Sequence, residues 1–265
     1  MKRFVLPFPP SPEGMIRLYE DDYHYLVRVK RLEAGMRFDA ILPGGKESQI
    51  HILSTADNIL IGECMGEMEK MPSTLPPIAL FQGFPKGSKM DLIVRQAAEG
   101  GVSIVAPFVS EFSTVKLKKD YGEKVKRWER IVREARQQSG SEIKTEILPP
   151  MSFDSLLEYW ESLKKEYQRP LGILFHQAPL EKGTFHDYLN NYPDFVALAV
   201  GPEGGFSRQE VSRFLSVGWK PMVMGNTVLR TETAALYGTA AIRIILLESE
   251  AWTPDQRGSS SLKFP

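Results

Sequence analysis

Beyond Pro77 the chain alternates two patterns, and few architectures can satisfy both. Apolar runs of strand length occur at Ile78–Phe84, Ser103–Phe108, Leu171–His176, Phe195–Val200 and Pro221–Met224. Between most of them, apolar residues recur at helical spacing. Met90, Ile93, Val94 and Ala97 form one face, Trp128, Ile131, Val132 and Ala135 a second, and Leu156, Leu157, Trp160 and Leu163 a third. A strand that is apolar on both sides has to be covered on both sides, and helices with one apolar stripe provide the cover. The predicted fold class is therefore α/β, with a parallel sheet between helical layers. A last helix, from about Glu232 to Leu247, is apolar around much of its circumference, so it is buried or pairs with another subunit.

Residues before Gly66 read differently. Short strands are expected at Met15–Leu18, Tyr25–Val29, Arg37–Leu42, Gln49–Leu53 and Asn58–Cys64, with turns at Pro43-Gly44-Gly45 and Ala56-Asp57-Asn58. That spacing suggests a small β-barrel. Gly66–Pro77, with its prolines and mixed charge, reads as a linker, and the stretch after Glu250 as a flexible tail. The expected division is a barrel over 1–70, a catalytic α/β domain over 71–250 and a tail over 251–265. No internal repeat is visible.

Composition excludes several classes. With 42% hydrophobic and 25% charged residues the chain is too apolar for a disordered polymer. No apolar run approaches the ~20 residues that cross a bilayer, and the start, MKRFVLPFPP, lacks the apolar core and cleavage site of a signal peptide. The single Cys64 leaves no internal disulfide and no cysteine-held zinc. The expected location is the cytoplasm. A formal net charge of zero argues against a protein that coats nucleic acid. From Lys116 to Arg136, however, nine basic residues face four acidic ones. Such a run is more often a solvated helix face than a binding surface.

Two loops carry the chemical signal. In Ala199-Val-Gly-Pro-Glu-Gly-Gly-Phe-Ser207 an apolar strand runs into three glycines, then into a helix opened by a capping box of Ser207 and Glu210. Glycines after a parallel strand let the backbone approach a ligand at the sheet edge where ligands bind; a plain tight turn would look the same. The spacing fits neither a dinucleotide fingerprint nor a P-loop. In Met224-Gly-Asn-Thr-Val-Leu-Arg-Thr-Glu-Thr-Ala-Ala235 a second strand ends in a polar loop before a helix. Thr231 suits the cap and Glu232 the first turn. Arg230 does not fit that account, because a cation at the positive end of a helix needs something anionic in front of it. The four histidines, His24, His51, His176 and His186, show no metal spacing, and no Gly-x-Ser-x-Gly elbow marks a serine hydrolase.

The loops GPEGGFSRQEV and MGNTVLRTETAAL closely resemble the paired signatures of bacterial small-subunit rRNA uridine-N3 methyltransferases, the RsmE type of the SPOUT superfamily. Shorter matches extend the resemblance nearly end to end. They include Arg3-Phe4, the stretch His24–Gly35, Lys86-Gly-Ser-Lys-Met90, Ala97–Val102, and Trp128 with Ile131, Glu134-Ala135 and Gln138-Ser139-Gly140.

The resemblance implies an N-terminal PUA-like barrel and a C-terminal SPOUT domain with a deep trefoil knot, an exception to ordinary topology. It also implies a homodimer, with S-adenosyl-L-methionine held by three loops. Here those loops would supply Phe175 and His176; Gly201, Pro202, Glu203, Gly204 and Gly205; and Met224, Gly225, Val228 and Leu229. Arg230 would face the negative charge developing on uracil or an adjoining phosphate. Glu232 would be a base or orienting group, or simply a helix-start residue. Arg3, Arg28, Arg31, Lys86, Lys89, Lys116 and Arg133 are the implied contacts to 16S rRNA. No metal and no membrane is implied.

Three departures dilute the implied RNA face. Phe112 and Ser141 stand where the family usually has arginine, and Gln96 where lysine is common. Two other functions therefore stay open: a non-catalytic RNA-binding or ribosome-assembly factor that keeps the fold, and a SPOUT methyltransferase with another RNA substrate.

Overall fold

The computed structural model describes residues 4–43, 46–68, 75–116, 120–177 and 183–252. They fall into two compact units, Met1–Thr74 with Glu129–Lys144, and Leu75–Trp128 with Thr145–Pro265. Gly44, Gly45 and residues 253–265 of the expected tail lie outside the described residues.

In the first unit five strands form one sheet. They are β1 (Phe4–Val5), β2 (Met15–Leu18), β3 (Arg37–Ile41), β4 (Glu47–Ser54) and β5 (Leu60–Met68), in the order β1-β3-β4-β5-β2. Only the β1–β3 pair is parallel. Phe4, Ile16, Leu18, Phe38, Ile50, Ile52 and Leu60 fill its core. The turn at Ala56–Asn58 forms as expected, with Asp57 and Asn58 both left-handed at φ 54° and 59°, a conformation these residues tolerate. Gln137 closes the outer edge of β1. Its amide accepts from Val5 N at 2.9 Å and donates to Val5 O at 2.7 Å, standing in for a neighbouring strand.

One expected strand is a helix. Residues Tyr25–Val29 belong to a wide helical turn, His24–Val29, that continues α1 (Glu20–Tyr23), and Lys30 N donates to Tyr25 O. The buried residues are Tyr23 and Leu26, three apart, while Val29 is 56% exposed. Three-residue spacing is helical, and Glu20, Asp21 and Asp22 complement the positive end of the helix. The window Tyr25–Val29, rich in aromatic and β-branched residues, reads as a strand only because it omits Tyr23. The expected linker is also shorter, since β5 runs through Met68.

The second unit contains β6 (Ile78–Gly83), α2 (Lys89–Glu99), β7 (Ile104–Val109), the start of α3 (Gly122–Ser139), β8 (Glu146–Ile147) and β9 (Met151–Ser152). It continues with α4 (Phe153–Glu166), β10 (Pro170–Phe175), α5 (Phe185–Leu189), β11 (Phe195–Val200), α6 (Arg208–Ser216), β12 (Lys220–Met222) and α7 (Thr231–Trp252). The strands pair in the order β12-β10-β11-β6-β7-β8, with β9 also on β7, and every pairing is parallel. The expected α/β class with a parallel sheet is therefore observed. Every residue of β6 and β11 is buried. Phe195, Ala197 and Ala199 join the core formed with α4 and α6, whereas the opposite face, at Leu198, packs against Gly238 of α7. No described helix is long and apolar enough to cross a membrane.

An aromatic knot of side chains locks the β12 side of the sheet. Trp219 packs against Trp160, Phe214 and Phe81, with ring centroids 4.9, 4.8 and 5.5 Å away. It lies flat over Gly172 of β10, where a Cβ would come within 2.5 Å of the indole. Gly172→Ala is therefore expected to destabilise the protein by about 1–3 kcal/mol through overpacking, read as a lower urea midpoint with an unchanged m-value.

Candidate active site

In a parallel sheet the carboxyl ends of neighbouring strands lie along one edge, so the loops that follow them converge. The loops after β10, β11 and β12 do so, and enclose a cavity of about 520 Å³. The first contributes Phe175 and His176, the second Gly201, Pro202, Glu203, Gly204 and Gly205, and the third Met224, Gly225, Val228 and Leu229. All eleven residues expected from the sequence to hold a cofactor line this one space. Gln177, Phe206, Val223 and Thr227 also line it; Phe206 and Thr227 belong to the two signal loops, but none of the four is singled out by residue type in the sequence. The volume falls in the range of small-molecule sites.

The glycine loop is shaped by close backbone approach. A Cβ on Gly201 would meet the backbone of Gly205 at 3.1 Å, and Gly205 itself is left-handed at φ 69°. Across the wall, a Cβ on Gly83 of β6 would sit 2.5 Å from Pro202 N. Gly201, Gly204 and Gly205 thus bring main chain to the wall, beside the side-chain-bearing residues of the other two loops. The predicted capping box holds the far end. Glu210 N donates to Ser207 Oγ at 3.2 Å, and Ser207 N donates to Glu210 Oε2 at 2.9 Å. Glu210 is buried and also accepts from Ser110 Oγ and from Glu111 N, which fastens the turn after β7 to the start of α6.

Thr231 does not act as the cap expected of it. It is the first residue of α7, and its buried hydroxyl donates to Gly201 O at 2.6 Å while accepting from Gln82 Nε2 at 2.9 Å. The hydroxyl is instead taken up by the neighbouring loop and strand, where the buried Gln82 Nε2 needs an acceptor and the half-buried Gly201 O a donor. Gln82 is fully buried in β6 and also donates to Gly83 O. Sequence reasoning missed it. The available signal was one amide inside the apolar run Ile78–Phe84.

Charge gathers at one side of the cavity. Arg230 lines it and is exposed. Lys89 also lines it and pairs with Glu203 at 2.6 Å, with Glu232 Oε2 3.8 Å away. Lys86 N donates to the same Glu203 carboxylate. Burial pushes the Glu203 carboxyl up, but the hydrogen bonds from Lys89 and the backbone outweigh it and hold the group below its ordinary range. The same bond raises Lys89 above the usual lysine value. Glu232 stands just outside the lining, its side chain 14% exposed.

The other residues expected to touch RNA are not brought to the cavity. Lys86 and Lys116 are exposed in the cavity's unit; Arg28, Arg31 and Arg133 are exposed in the other. Arg3 lies outside the described residues, as do Lys118 and Lys119 of the basic run. Within that run, Arg127 pairs with Asp91, Lys126 with Glu123 and Arg130 with Glu134, the pattern of a solvated helix face. Gln96 is partly buried, and Phe112 is 49% exposed with its Cβ against Gly204. Among the described residues no His, Cys, Asp and Glu cluster could hold a metal ion.

A parallel α/β domain with a main-chain cavity over its strand ends defines a class of small-ligand enzymes, and comparison with known proteins narrows it. The family described as RNA methyltransferase domain matches residues 72–243. A ribosomal RNA small subunit methyltransferase E from Synechocystis is 30% identical over 238 residues, spanning 88% of this chain and 74% of that protein. One from Aquifex aeolicus is 32% identical over 215 residues, spanning 79% and 86%. The chain belongs to the family of ribosomal RNA small subunit methyltransferases E. A putative methyltransferase from Legionella pneumophila, solved with bound S-adenosylmethionine, is 27% identical with a TM-score of 0.77, covering 92% of this chain and 97% of that one.

Thr231→Val keeps the shape but removes the hydroxyl, leaving Gly201 O without this donor and Gln82 Nε2 with Gly83 O but without its second acceptor. The expected cost is about 1–3 kcal/mol of stability, read by thermal unfolding. Ligand affinity should fall with it, because the carbonyl that loses its anchor lies in the cavity wall.

Proposed function

We propose that this chain transfers a methyl group from S-adenosylmethionine to N3 of a uridine in small-subunit (16S) ribosomal RNA. The observation that carries the reading is the single cavity walled by three main-chain loops, with Arg230 at its side. The names of the curated relatives support the RNA class, and the Legionella complex supports the donor. The walls fit such a ligand. Side chains on Gly201 or Gly205 would fill or strain the cradle, and exposed peptide groups suit the edges of an adenine.

When bound, the donor supplies a methyl group activated by sulfonium. Methylation forms the N3–carbon bond as the carbon–sulfur bond breaks, and the N3 proton must leave. Arg230 is placed to stabilise the uracil anion that this departure creates, or the phosphate beside it. Glu232 is the candidate to receive or orient that proton. Lys89 neutralises Glu203 on the same side and so keeps two carboxylates from repelling an incoming polyanion.

The finer architecture belongs to the same proposal. It comprises a PUA-like barrel over 1–70 and a SPOUT domain over 71–250 with a deep trefoil knot, acting in the cytoplasm where ribosomes assemble. Arg3, Arg28, Arg31, Lys86, Lys89, Lys116 and Arg133 would meet RNA. A homodimer is supported by α7, which leaves Tyr237, Ile244 and Leu247 exposed at 55%, 53% and 46%, along one side at helical spacing. Val228, 73% exposed, adds to the apolar surface from a cavity loop.

Calorimetric titration with S-adenosylmethionine tests the donor, and failure to bind at high micromolar concentration would sink the reading. Arg230→Ala is expected to bind the donor normally yet lower methyl transfer to small subunits about a hundredfold; wild-type turnover would remove Arg230 from the mechanism. Ile244→Glu places a charge on the apolar side of α7 and is expected to yield a monomer by light scattering. A wild type that is already monomeric would refute the dimer.

A further inference from the structure

Resting on the RNA substrate proposed above, we infer that Phe112 is a stacking platform for an unpaired base of that RNA, next to the nucleotide being methylated. Large aromatics are ordinarily buried, and most of the phenylalanines near the site are: Phe81, Phe84, Phe108, Phe175 and Phe214. Phe112 is 49% exposed. Exposure alone means little on a loose surface loop, but this loop is fastened. Ser110 Oγ and Glu111 N both donate to the buried Glu210 carboxylate, at 3.1 and 2.9 Å, and Ser110 N donates to Ser113 Oγ at 3.0 Å. The aromatic ring pair Phe108–Phe206, parallel to within 2°, joins the strand before the turn to the glycine loop.

The position is specific as well as rigid. A Cβ on Gly204 would stand 2.7 Å from Phe112 Cβ, so Gly204 is the partner that lets the phenylalanine press onto the outer side of a cavity loop. Phe112 therefore abuts a residue that lines the space assigned to the methyl donor. A base that leaves its helix to reach such a cavity exposes its neighbours, and each offers a π-face whatever its sequence. An arginine at this place would bind phosphate through charge, whereas phenylalanine offers no charge and no hydrogen bond. Stacking is the nucleic-acid contact left to it.

The test measures RNA affinity and methyl transfer for wild type, Phe112→Ala, Phe112→Leu and Phe112→Trp on small subunits, with S-adenosylmethionine binding followed by calorimetry. Expected are a KM and Kd for RNA raised about tenfold in Phe112→Ala, within the range of one lost stack. kcat at saturating RNA and donor affinity should stay unchanged. Tryptophan should restore binding and leucine should not. Unchanged RNA affinity in Phe112→Ala, rescue by leucine, or loss of donor binding would each overturn the proposal, the last by exposing a purely structural role. RNA binding is read separately from transfer. A wild type that binds RNA without methylating it would defeat the proposed activity and leave the Phe112 comparison valid, and one that binds no RNA would defeat both.

Discussion

The hydroxyl of Thr231 holds three separate pieces of chain at one point. Gln82 comes from a central strand, Gly201 from the loop after the neighbouring strand, and Thr231 opens the last helix. Gln82 and Thr231 are buried, where an unmade bond is costly and a made one is strong. One small side chain can therefore fix where α7 begins relative to the glycine loop. The cavity between them inherits that fixed geometry. A longer side chain at 231 would push the loop outward, and a shorter one would leave the Gly201 carbonyl unpaired.

Around that anchor the protein builds its pocket from main chain, for a reason of packing. Gly83 faces the Gly201–Pro202 peptide with no room for a methyl group, and Gly204 meets Phe112 in the same way. Close approach of backbone to backbone makes the glycine loop a wall of peptide groups, which carry no net charge and lose no side-chain entropy when a ligand orders them. The charged residues stand to one side. Lys89 and Glu203 largely cancel, and Arg230 is the other cation of the lining among the described residues, which the proposed function sets against the developing anion.

Much of this was legible before any coordinates. The parallel sheet followed from apolar runs bounded by amphipathic helices, because burial on both faces leaves a strand no polar side to show. The three loops followed from glycines and polar residues at strand ends. What was not legible had physical causes. Tyr25–Val29 has the aromatic and β-branched content of a strand, and only burial of Tyr23 with Leu26 reveals the helix. Thr231 obeyed every local rule for a cap, yet a partner thirty residues away took its hydroxyl. Gln82 was passed over because its meaning depends on what lies above the sheet. The Lys89–Glu203 pair is not legible either, because sequence cannot show that Glu203 folds back onto α2.

The charge distribution bears on how such a protein would hold RNA. Affinity for a polyanion normally rises with the number of phosphates met by lysine and arginine, and falls steeply with salt. Here the formal net charge is zero, and several cations of α3 are already paired with carboxylates. Those paired cations release fewer counterions than free ones would. On the proposed reading, part of the binding free energy then comes from contacts that salt does not screen, and stacking on an exposed ring is one of these. Because a stack works only on an unpaired base, it would also select RNA whose local helix is already open, as a target for methylation at a base-pairing edge must be. The neutral surface and the exposed Phe112 are then two sides of one design, with recognition shifted from charge toward the shape of an opened strand.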